Sequence, residues 1–192
     1  MSPSTLVNNY LNLLKNKHVA EVKHLFEHAK YCNINTLTPR RAAHNVYFFL
    51  GVSNQVLHGI YVEASICPLV SELDEMKTTV VPFTNNSLPA IPTINADIMD
   101  PNQINQIEFN NRTLLWTNTK DDFISNHVNA GTMVQYFEIA CSNFKSYTNN
   151  YSVFGLRAFD IEDIKAPIID LITVNDKFMD TTRPVPPFKI NL

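Results

Sequence analysis

The sequence predicts an α+β chain in which an N-terminal amphipathic helix, or helical hairpin, packs on a mainly antiparallel β sandwich or barrel. Three observations lead there. Apolar residues recur at spacings of three and four up to about residue 30, and from Val46 onward they alternate or gather in short runs. Proline and asparagine punctuate the intervals between those runs. With 192 residues and 45% hydrophobic content, the chain suits one domain that buries most of its apolar surface. The expected organisation is a helical segment over 1–31, a β-rich core over 42–180 and an extended, proline-rich tail over 181–192.

The elements follow in order. Ser2 before Pro3 is a helix start, because serine caps free N–H groups and proline costs nothing at the first helical position. Val7, Leu11, Leu14, His18, Val22, Leu25 and Ala29 then form the stripe of a helix over 3–30, with a break into two expected near Asn16-Lys17-His18, where helix propensity falls. Residues 33–39 read as a loop closed by Pro39. Val46 to Leu50, a turn over 51–54 and the alternation Val56, His58, Ile60, Val62, Ala64, Ile66 form a hairpin, its even positions facing a core. Further strands are expected at 78–83, 104–109, 113–117, 133–141, 153–159 and 168–174. Asn110-Asn111 would make the tight turn of another hairpin, and 133–141 would also serve as a helix face. Residues 81–103 read as loop-rich, and Pro184, Pro186 and Pro187 keep the tail extended.

Net charge is −3, unevenly spread. Up to Arg41 the bases Lys15, Lys17, Lys23, Lys30, Arg40 and Arg41 outnumber Glu21 and Glu27, and the remainder is acidic. Such polarity can guide head-to-tail self-association or attract an acidic partner, although a solvated helix face is the plainer account of it. Four glycines, no two within one loop's span, exclude the glycine-rich phosphate cradles of nucleotide sites. Cys32, Cys67 and Cys141 are odd in number and far apart, so reduced, buried thiols are expected rather than a disulfide framework or zinc ribbon. No signal-peptide pattern or long apolar run is seen, so an intracellular place, cytoplasm or nucleus, is expected, without secretion or membrane insertion.

One segment carries a catalytic pattern. His24-Leu25-Phe26-Glu27-His28 resembles the H-x-x-E-H of inverted zinc metallopeptidases over these five residues. The resemblance implies His24 and His28 as zinc ligands and Glu27 as general base, with a third ligand from Glu63, Glu72 or Glu75. The plainer reading is a wet helix face opposite Val22, Leu25 and Phe26, with no metal and no cofactor. His18 and His58 read as core histidines. With Tyr61 and Lys77, His58 would also supply the donor, acceptor and cation of a metal-free phosphodiesterase. No serine or cysteine sits in a nucleophile motif, and Trp116 reads as the core anchor of a strand.

Partner-binding candidates are Arg40 and Arg41, beside Tyr47, Phe48 and Phe49, and Arg183 with Pro184 and Pro187 in a P-x-x-P pattern. The first mixture suits single-stranded nucleic acid, against which the overall acidity argues. The second suits a groove on another protein, or docking on its own domain. Catalytic residues are not identified. The leading expectation is a non-enzymatic structural or protein-interaction protein. Asparagine at roughly one residue in eight exceeds the usual share and accompanies AT-rich genomes, which suits a viral virion or host-interaction component. The alternatives are a small hydrolase, zinc peptidase-like or metal-free, and a nucleic-acid-binding module using the basic N-terminal region.

Overall fold

Ser2 does cap a helix. In a computed structural model, which describes residues 1–35, 45–89, 103–141, 150–158, 167–175, 177–180 and 182–185, α1 spans Pro3–Lys15 and the Ser2 side chain accepts the Thr5 N–H. Asp74 adds a second, distant cap, accepting the Ser4 N–H at 2.8 Å and its hydroxyl at 2.6 Å. Lys17 then takes a left-handed φ of 55°, and α2 spans Val19–Glu27, so the helical-hairpin form of the expectation holds. That left-handed residue resets the helical phase and corrects one assignment: His18 is not in the apolar stripe but exposed at the start of α2, its Nδ1 3.3 Å from Glu21 Oε1. The buried side chains are Leu6, Val7 and Tyr10 on α1 and Val22, Leu25 and Phe26 on α2.

Residues 31–33, placed partly in a loop by the sequence, form the short strand β1 (Tyr31–Asn33). Three residues are too few to show a period, and β1 exists through its neighbours, Cys32 standing opposite Phe83 on one side and Ser152 on the other. The hairpin is β2 (Asn45–Ser53) and β3 (Val56–Ala64). Its turn is Asn54-Gln55, with φ of 49° and 61°, the positive pair that a type I′ turn requires. The turn expected over 51–54 therefore moves: Gly51 stays in the strand, where a Cβ would lie 2.8 Å from Leu6 Cβ of the overlying α1. The one-faced core of β3 is also corrected, because helices cover both sides, and Ile66 lies past the strand's end, 76% exposed. Ile60 and Val62 join Tyr47, Phe49, Leu6 and Val7 beneath α1. Leu57 and Tyr61 join Phe48, Leu50, Phe26, Trp116 and Phe154 on the other side.

β4 (Thr78–Thr84) lies where expected. Beyond it the largest correction falls. The hairpin read at 104–117 is instead a two-residue strand, β5 (Gln103–Ile104), and a helix, α3 (Gln106–Ala130). Asn105 caps α3 by accepting the Glu108 N–H at 2.8 Å. The threonines that favoured strand are accommodated within the helix: Thr113, Thr117 and Thr119 hydroxyls donate to carbonyls four residues earlier. The buried stripe Phe109, Arg112, Trp116, Phe123 has an arginine in one core position, so an apolar period is not visible. Trp116 is a core anchor, on a helix rather than a strand.

The remaining strands are β6 (Tyr136–Ala140), β7 (Tyr151–Ala158), β8 (Pro167–Val174), β9 (Phe178–Met179) and β10 (Thr182–Val185). The ten strands of the described residues form one sheet in the order β10-β6-β2-β3-β4-β1-β7-β8-β9-β5, every pairing antiparallel. The sheet curls, so that the edge strand β10 comes beside β8. Pro184 stands opposite Phe137 in the β10–β6 pairing, an edge position that a residue without an N–H tolerates. This is the α+β arrangement the sequence predicts, an N-terminal helix on an antiparallel, barrel-like sheet. No helix among the described residues is long and apolar enough to cross a membrane.

Candidate functional site

α2 turns His24, Glu27 and His28 to solvent because Val22, Leu25 and Phe26 occupy its buried face. The potential ligand atoms of the three side chains all lie within 4.8 Å of one another. His24 Nδ1 is 4.0 Å from Glu27 Oε2, and the imidazoles meet edge to face at 4.6 Å between centroids. His28 closes α2, and Asn85, just after β4, places its Nδ2 3.3 Å from His28 Nδ1. Among the described residues these are the side chains gathered closely enough to share a metal ion. The third ligands drawn from the sequence do not join them: Glu63, Glu72 and Glu75 line an open depression of about 540 Å³ with Ile66 and Pro68.

A second cluster was not anticipated. Arg112 reaches from α3 to the sheet, its Nε donating to Glu108 at 2.7 Å and its NH1 to Asp170 at 2.7 Å and Asp180 at 2.6 Å. Arg157 NH1 lies 3.6 Å from Asp180. Only 9% of the Arg112 side chain and 1% of the Asp170 side chain are exposed. Gly155, opposite Asp170 in the β7–β8 register, permits the approach, since a Cβ there would be 3.1 Å from Arg112 Cβ. Burial and the neighbouring Asp170 raise the Asp180 carboxyl to about 6, against the pull of Arg112. The sequence signal was a lone Asp170 within the apolar run Ile168 to Val174, a charge that such a strand buries only with a partner. The arrangement clamps α3 to β8.

The other anticipated residues do not assemble. His58 is half-buried, its Nδ1 3.0 Å from the Val56 carbonyl oxygen, whereas Tyr61 sits on the opposite face of β3 in the main core, 3.3 Å from Cys32 Sγ. Lys77 is exposed before β4. All three cysteines are free, Cys32 and Cys141 buried and Cys67 only half-buried. Burial pushes the Cys32 thiol up to about 12 and that of Cys141 to about 11, the reverse of what a nucleophile needs. The backbone of Arg183 and Pro184 lies in β10, and Arg40, Arg41 and Pro187 fall outside the described residues.

Two surface features remain. A cleft of about 200 Å³ between α2, α3 and β7 is lined by Phe26, Trp116 and Phe154, with Lys30 and Lys120 at its border. On α3, opposite the buried stripe, Ile107 is 71% and Leu114 59% exposed, with Leu115 beside them and the exposed Asp121 and Asp122 a turn or two further on. The α1–α2 turn presents exposed Lys15 and Lys17. Compared with protein-family models, curated proteins and solved structures, the chain matches none.

Proposed function

We propose that this chain is a non-enzymatic interaction scaffold that associates head to tail with further copies of itself. The outer face of α3 on one copy meets the basic α1–α2 turn of the next. The observation that supports this reading is the exposed apolar pair Ile107 and Leu114 on a helix whose opposite face is already buried. Side chains of that size gain roughly 1.5–3 kcal/mol each on full burial, and the acidic Asp121 and Asp122 beside them complement Lys15 and Lys17. The virion or host-interaction role drawn from asparagine content belongs to the same class of protein and rests on composition alone.

The test is sedimentation over a range of concentrations. Wild-type protein should show a mass that rises with concentration and falls with added salt. Leu114→Asp should remain a monomer with an unchanged thermal melt, because the side chain faces water in the single copy. A variant that assembles like wild type would overturn the reading.

A further inference from the structure

The structure assigns a surface site for a divalent transition metal of the zinc class to His24, Glu27 and His28. The sequence pattern alone counts two ligands and a base, one ligand short. In the folded chain Glu27 is not held apart for the role of base: its carboxylate stands within the same 4.8 Å group as both imidazoles. Residues 24, 27 and 28 fall on one side of a helix by its 3.6-residue period, and His28 keeps a near-helical backbone at the helix end (φ −95°, ψ 1°). Bonds of about 2.0–2.1 Å to a tetrahedral ion require ligand atoms about 3.3 Å apart. A bound ion would draw the three ligand atoms from within 4.8 Å to that spacing, and their exposure leaves the side chains free to turn.

Asn85 stands where an outer-shell partner of His28 would stand. A ligating histidine characteristically donates its other ring N–H to a fixed acceptor. As placed, the Asn85 Nδ2–H donates to His28 Nδ1 at 3.3 Å, and metal binding would require half a turn of that exposed amide, which presents Oδ1 in place of Nδ2. His28 Nδ1–H then donates to Asn85, leaving Nε2 with its lone pair for the metal. Two imidazoles and one carboxylate suit zinc and its neighbours better than calcium or magnesium. At least one coordination position stays open to water or to a ligand from outside.

The experiment is calorimetric titration of Zn²⁺ into chelator-treated protein at neutral pH, with the imidazole resonances followed by NMR. The expected result is one ion per chain, bound more weakly as pH falls because protons compete for the ligands. His24→Ala and His28→Ala should each lower the affinity at least tenfold. Asn85→Ala should lower it by about 10–100-fold, as loss of an outer-shell partner does. His24, His28 and Asn85 are all exposed, so the variants should keep the wild-type melt. Absence of binding, or binding that persists in the His24→Ala/His28→Ala double variant, would overturn the assignment.

Discussion

Burial and the neighbouring Asp170 raise the Asp180 carboxyl from its ordinary 3.8 to about 6. Between those values the folded state binds more protons than the unfolded one, so stability contributed by this group is fully present below the unfolded value and is lost as pH rises through about 6. Urea midpoints taken across that interval should fall with rising pH, and Asp180→Asn should flatten the slope. Identical profiles for the two proteins would refute a raised carboxyl in this cluster. The residues of the two clusters differed in how legible they were. His24, Glu27 and His28 lie within one helical turn and could be read from spacing. Arg112, by contrast, meets Asp170 and Asp180 across 58 and 68 positions, and only the odd charge in an apolar strand hinted at the partnership.

At the scale of the element, what was legible followed from local chemistry. The cap at Ser2, the break at Lys17 and the β2–β3 hairpin each depend on a few adjacent residues, and each is present. α3 was misread because its determinants are not local. Its asparagines and threonines mimic strand and turn, and a core position is filled by Arg112, whose burial makes sense only beside β8 and Asp180. That clamp gives a direct test. Arg112→Ala should cost about 3–5 kcal/mol in denaturant unfolding, the range for removing one partner of a buried ion pair and leaving charge uncompensated. A loss no greater than that of a surface substitution would mean that packing of Phe109, Trp116 and Phe123 alone holds α3 in place.

Across the whole molecule, the fold class was legible and the connectivity was not. Alternating and apolar runs predict an antiparallel sheet, but nothing in them fixes which strands become neighbours, so the insertion of β1 between β4 and β7 and the return of β10 to β6 depend on pairings across most of the chain. The same holds for surfaces. The charge asymmetry was read from sequence, whereas the exposed Ile107 and Leu114 became visible only once α3 was known to be a helix. Head-to-tail association through that face is tested most directly by exchanging charges. Lys15→Glu/Lys17→Glu and Asp121→Lys/Asp122→Lys proteins each present like charges at the proposed contact and should sediment as monomers. Mixed in equal amounts, they restore opposite charges at both kinds of contact and should assemble as wild type does. A mixture that stays monomeric, or single variants that assemble unmixed, would contradict the account.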